Sequence, residues 1–257
     1  MPATARGKAG PPCAVGVDGC PAGWVAVSAT PASGCGGKVE PDGRHSVLSL
    51  DWALYETLES LLAAAAEASV VVLDVPIGLT DGPGRACDRE ARRLLQGRSS
   101  SVFSPPMRPA LAAETRAEAT RIGQAVRRGG GLSAQAWNIV PKIKEADAAL
   151  TPERQSRVRE GHPEVAFRRL AGAPLTYPKK DTAGRAERLT LLAARGADAA
   201  RLSADVRARH PKRAVADDDV LDACALAITG LDLLAGEAWV LGGGERDGRG
   251  LVMEICG

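Results

Sequence analysis

Val70-Val71-Val72-Leu73-Asp74 is a run of four apolar residues closed by an acid, and the turn Val75-Pro76-Ile77-Gly78 follows at once. A strand that is apolar on both sides has no solvated face, so it belongs inside a sheet covered by helices on both faces. Upstream, residues 51–68 carry Trp52, Leu54, Tyr55, Leu58, Leu61 and Leu62 at helical spacing, with Asp51 as the expected N-cap. Residues 46–50 read as a strand before that helix, and residues 31–44, rich in Gly and Pro, as the loop leading into it. Residues 14–18 and 24–28 read as hairpin partners joined by the turn Gly19-Cys20-Pro21-Ala22-Gly23. Parallel strands need a crossover, which the helix before Val70 supplies. The expected fold is therefore α/β: a mixed sheet whose first three strands are antiparallel and whose fourth pairs in parallel with the first.

Downstream, residues 85–95 have helical spacing, and the Ser/Pro-rich run Ser99 to Pro106 breaks it. Helices are expected at 114–128 and 134–150, giving a helical insertion over about 80–150. A short strand is expected at 158–160, then helices at 165–170, 182–195 and 217–235, and a closing edge hairpin from Trp239-Val240-Leu241 and Leu251 to Ile255. No internal repeat or long linker divides the chain, so residues 13–257 read as one domain behind a disordered Pro/Gly-rich tail of residues 1–12.

Acids sit at the ends of these elements. Asp18 and Asp74 each close an apolar strand, and Asp217-Asp218-Asp219-Val220-Leu221-Asp222 opens an alanine-rich helix. On a helix Asp219 and Asp222 share a face, as do Asp218 and Asp222. Neighbouring parallel strands present their C-terminal ends at one edge of the sheet, so these carboxylates can converge with a helix running past. Crowded carboxylates are best tolerated beside a divalent cation, and hard oxygen ligands suit Mg or Mn. Asp18, Asp74, Asp219 and Asp222 are therefore the expected metal ligands and catalytic residues, holding two ions about 4 Å apart for phosphodiester cleavage. Glu164, after His162-Pro163, is a further candidate. The competing reading is structural: Asp is a favoured N-cap, acids in a first turn are stabilised by the helix dipole, and Asp18-Gly19 is an ordinary turn pair.

Composition narrows the function. Net charge is +2, from 33 basic and 31 acidic side chains among 257 residues, so no global pull toward nucleic acid or anionic membrane exists. Local basic clusters occur at Arg85 to Arg98 and at Arg207 to Arg213. The six cysteines include no Cys-x-x-Cys pair, which points to free thiols and a reducing cytoplasm. No apolar run opens the chain, and the stretch from Leu61 to Leu73 is broken by Glu67, so neither secretion nor membrane insertion is expected.

Several segments, in order, resemble the family of domain-of-unknown-function number 429: Gly16 to Trp24, Leu73 to Leu79, Cys87 to Arg92 and Ser101-Val102-Phe103. So do Pro141-Lys142-Ile143 with Glu145 and Asp147, His162-Pro163-Glu164, Lys179-Lys180, and Asp218-Asp219 with Asp222-Ala223. The resemblance implies a nuclease of ribonuclease H-like fold over residues 14–235. Asp219-x-x-Asp222-Ala223-x-Ala225-x-Ala227-Ile228 is also similar to the last catalytic helix of Holliday-junction resolvases, with Asp74 standing where those enzymes carry a Glu. The resemblance further implies phosphate or substrate contacts from Arg89, Arg92, Lys142, Lys179 and Lys180, and proton transfer by His162.

The leading expectation is a metal-dependent phosphodiesterase or nuclease acting on nucleic acid or a small phosphoester. The sugar-kinase and actin-like ATPase group shares a Gly-x-Asp-x-Gly hairpin, but it duplicates its core and no second such strand is present. A non-catalytic nucleotide- or partner-binding module on the same fold is the third reading; scarce aromatics argue against broad single-strand binding.

Overall fold

A computed structural model describes residues 13–32, 47–82, 84–126 and 131–257. The expected tail at 1–12 and most of the 31–44 loop lie outside the described residues. The hairpin forms as β1 (Ala14–Cys20) and β2 (Gly23–Pro31), with Pro21-Ala22 alone at the turn. Gly23 (φ +128°) allows that tight return, because a side chain is strained there. β3 (Leu48–Tyr55) pairs antiparallel with β2 over its whole length.

β3 corrects one expectation: residues 51–55 are extended, not helical. Leu48, Leu50, Trp52 and Leu54 alternate onto one apolar cluster, and the long β2 supplies hydrogen-bonding partners up to Tyr55. The helix α1 (Leu58–Ala64) starts later, at an N-cap from Thr57, whose hydroxyl accepts from Ser60 N–H at 3.2 Å. Asp51 is therefore a strand residue.

β4 (Val70–Leu73) pairs in parallel with β1 on one side and with β5 (Val158–Glu160) on the other. The five-stranded sheet has the order β3-β2-β1-β4-β5, with β4 internal as its continuous apolar run requires. Between β4 and β5 lie α2 (Ala86–Leu94), 3-10 turns at Ser99–Ser101 and Arg108–Ala112, α3 (Arg116–Val126), α4 (Ala134–Asn138), α5 (Val140–Ala149) and α6 (Pro152–Gln155). The helix expected over 134–150 breaks at Ile139, where Pro141 in the first turn of α5 has no N–H to continue the ladder.

After β5 come α7 (Pro163–Ala171), α8 (Thr182–Ala194), α9 (Ala199–Arg209) and α10 (Asp217–Ala235). α9 was not expected, although Ala199, Leu202, Ser203 and Val206 are buried at helical spacing and Asp198 caps its start. Val240–Leu241 (β6) and Ile255–Cys256 (β7) form a separate two-stranded sheet, close to the expected closing hairpin.

The sheet is sandwiched. On one face Val15, Val17, Val71, Leu73 and Val158 pack against Leu58, Leu61 and Leu62 of α1 and Ile143 and Ala146 of α5. On the other, α10 crosses β1, β2 and β4 beneath α7, α8 and α9. Cys13, Cys20, Cys87, Cys224 and Cys256 are free thiols. Among the described residues no helix is long and apolar enough to cross a membrane.

Candidate active site

Register places Asp18 beside Asp74. Val17 is level with Leu73 across β1 and β4, so the next residue on each strand is an aspartate, and Asp74 N–H donates to the Val17 carbonyl at 2.9 Å. Side chains alternate along a strand. Gly16 and Val72 face α10, so Asp18 and Asp74, two residues on, face it too.

Gly16 sets how near α10 comes. A Cβ there would lie 2.1 Å from the Ala223 carbonyl oxygen and 2.2 Å from the Ala227 nitrogen, inside the helix backbone. This approach seats Asp222, 1 % exposed, at the wall of a cleft of about 810 Å³ that Asp18 and Asp74 also line. Burial pushes the Asp18 carboxyl well above its ordinary range, and the charges of Asp74, Asp222 and Asp219 push it further. Asp74 is raised to about 8, by burial first and Asp222 second. Asp222 is raised by burial, against the opposing pull of Lys179.

Lys179 is the cation within this group. Its Nζ lies 2.9 Å from Asp222 Oδ2 and 3.2 Å from Asp218 Oδ2. The other oxygen of Asp222, Oδ1, is buried and has no hydrogen-bond partner among the described residues. An unsatisfied, desolvated carboxylate oxygen is costly, and here it belongs to a residue of the cleft wall. Among the described residues no group of three or more His, Cys, Asp or Glu side chains stands in an arrangement that could hold a metal ion. The donor chemistry nevertheless fits a hard divalent ion: Asp18, Asp74 and the unpartnered oxygen of Asp222 are the available oxygen ligands.

The remaining expected residues divide between the cleft and the scaffold. Lys142 and Lys180 line the cleft, the Lys142 ammonium sitting 4.3 Å above the Trp24 ring. Asp219 turns back instead: its carboxylate accepts from Ala216 N–H at 2.8 Å, capping α10, and it does not line the cleft. Glu164 lines the cleft but is ion-paired with the buried Arg188. His162 lines it with both ring nitrogens engaged, Nδ1 accepting from Glu164 N–H at 3.2 Å and Nε2 3.3 Å from the Ser101 carbonyl. Burial lowers its pKa, which favours the neutral ring. Arg89 is exposed and donates to the Gly84 carbonyl, while Arg92 holds the Val102 carbonyl and Ser104, and neither lines the cleft.

The profile of the family described as "Protein of unknown function (DUF429)" matches residues 16–246. The chain belongs to that family. No curated protein and no solved structure matches the chain. The DUF429 match spans Asp18, Asp74, Asp222 and Lys179, so all four lie in its shared region.

One part of the cleft was not foreseen. Glu160 ends β5 but shares the face of Val158, away from α10, and it meets the guanidinium of Arg85 at 2.6 and 2.7 Å. Arg85 also donates to Asp88 Oδ1 at 2.5 Å and to the Ile77 carbonyl at 3.1 Å, and Glu160 accepts from Ile77 N–H at 2.6 Å. The triad thus ties down the turn that follows Asp74. Val158-Arg159-Glu160-Gly161, an apolar strand start ending in acid and glycine like Val17-Asp18-Gly19, was the available signal. Arg85→Met leaves two carboxylates buried and unpaired, and the expected loss is about 3–5 kcal/mol in urea unfolding. A loss under about 1 kcal/mol, the worth of an exposed pair, would show that the triad is not holding the turn.

Proposed function

We propose that this protein is a metal-dependent phosphodiesterase, a nuclease or an enzyme of small phosphoesters, built on a ribonuclease H-like core. The observation that carries this reading is the meeting of Asp18 and Asp74 at the ends of adjacent parallel strands with Asp222 of the helix packed across them. The antiparallel β1-β2-β3 followed by parallel β4 and β5, with α10 laid over β1, supports the fold assignment. Asp18, Asp74 and Asp222 Oδ1 would hold Mg or Mn, which supplies activation of water and stabilisation of charge on the leaving oxygen. The chain's own part is binding and orientation. Lys142 and Lys180 line the same cleft and offer charge to a phosphate, while the sheet edge holds the acids in fixed relation.

A non-catalytic nucleotide- or partner-binding module is the second reading, and Lys179 is the observation in its favour, since it already neutralises part of the acid group. Purified protein supplied with Mg or Mn is expected to hydrolyse at least one of single-stranded DNA, duplex DNA, RNA, a cyclic nucleotide or bis(p-nitrophenyl) phosphate, and to stop when chelator is added. If none is cleaved with either metal, catalysis falls and the binding module stands.

A further inference from the structure

The loop that carries Lys179 is built to hold it in place. Thr176 N–H and Tyr177 N–H donate to the two oxygens of Glu187 on α8, at 2.8 and 3.1 Å. Gly184, in the first turns of the same helix, lies so close to this loop that a Cβ there would be 1.9 Å from the Pro178 oxygen. The backbone immediately before Lys179 is thus clamped to α8, and the side chain is delivered to Asp222 and Asp218 from a fixed base. There one ammonium meets two carboxylates, Asp222 Oδ2 at 2.9 Å and Asp218 Oδ2 at 3.2 Å.

Two-metal hydrolysis needs two positive centres a few Å apart between carboxylates. The chain already supplies one. Of the carboxylates lining the cleft, Asp88 and Glu160 are paired with Arg85 and Glu164 with Arg188. The remaining three, Asp18, Asp74 and Asp222, set against the Lys179 ammonium leave two negative charges, which is the charge of a single divalent ion. The unpartnered Asp222 Oδ1 is the remaining donor on the residue whose other oxygen Lys179 takes. We propose that Lys179 is a built-in cation standing in place of a second metal, so that the site binds one divalent ion, on Asp18, Asp74 and Asp222 Oδ1. The proposal rests on the metal-dependent reading above. Lys179 is a positioning residue here: it organises Asp222 and supplies charge, leaving substrate contact to the other cleft lysines.

Calorimetric titration of the full chain with Mn tests this, alongside thermal melts with and without Mn. Parent and Lys179→Arg are expected to bind one ion per chain. Lys179→Met and Lys179→Gln, the second keeping a hydrogen-bond donor for Asp222 but no charge, are expected to bind two. Both neutral variants should melt below the parent without metal and recover most of the difference with Mn, because the second ion replaces the missing charge. Two ions in the parent, or a single ion in both neutral variants, would overturn the proposal while leaving a metal-dependent enzyme intact. No Mn binding to any of the four proteins would overturn both.

Discussion

Asp74→Asn is expected to lower metal-dependent hydrolysis by about 10³-fold or more, and Asp18→Asn likewise, because a charge ligand worth several kcal/mol of transition-state stabilisation is lost at about 1.4 kcal/mol per tenfold. Neither variant should unfold. The amide keeps the shape of the carboxylate, and each of these acids is buried among like charges that destabilise its ionised form. The readout is turnover on whichever phosphodiester the parent cleaves, with melting temperature beside it. An Asn variant as fast as the parent would remove these residues from the chemistry.

The same substitution has a signature in pH that does not depend on activity. The Asp74 carboxyl holds its proton up to about 8 in the folded protein, against 3.8 for the ordinary group. The folded state therefore binds more protons than the unfolded chain between those values, and the stability this carboxyl contributes is complete below the lower one and lost as pH rises through the upper. Metal-free parent should thus weaken from about pH 4 to about pH 8, and Asp74→Asn should show a flatter profile and be the more stable protein at pH 8. Mn must displace these protons to bind, so its affinity for the parent should rise across the same range. Urea unfolding at several pH values, without metal, checks the first point. An unchanged slope in the Asn variant would mean that Asp74 ionises normally.

Much of this was legible in the residues, and the failures have physical causes. Val70 to Leu73 could only be an interior strand, and with one crossover before it the parallel pairing with β1 followed. Trp52, Leu54 and Tyr55 failed because Leu50, Trp52 and Leu54 satisfy the strand period while Trp52, Tyr55, Leu58 and Leu62 satisfy the helical one; pairing with β2, a tertiary fact, decided it. That Asp18, Asp74 and Asp222 come to one cleft was readable from their strand-end and helix-start positions. Asp219 was not separable from Asp222 by spacing: both can share a face, but only Asp219 is three residues after the N-cap, where its carboxylate is better spent on the Ala216 N–H. The arginines misled in another way. The resemblance implies a phosphate contact for Arg92, yet its guanidinium holds the Val102 carbonyl and Ser104, and Arg207, from the basic cluster at 207–213, holds the His210 and Val215 carbonyls and Asp217, fixing the start of α10. Half-buried donors of that kind serve the backbone first.

Gly16→Ala is the other change with a large expected effect, and it acts through distance alone. The added methyl would stand 2.1 Å from the Ala223 oxygen and 2.2 Å from the Ala227 nitrogen, both backbone atoms of α10 that no rotamer can move. The helix must then lift off β1 by about 1 Å or more to restore van der Waals contact near 3.5 Å, and such overpacking costs about 1–3 kcal/mol or more. At about 2–4 °C per kcal/mol for a chain of this size, the melting temperature should fall by about 5–10 °C. Lifting α10 also draws Asp222 away from Asp18 and Asp74, so Mn affinity should fall even in the fraction that stays folded. Gly123→Ala in α3, where an added Cβ meets nothing within 4 Å among the described residues, is the matched control, expected to be neutral or slightly stabilising because Ala suits a helix interior better. Equal melting temperatures for the two variants would mean that α10 does not pack on Gly16, and with that contact the joint placement of the three aspartates would fail.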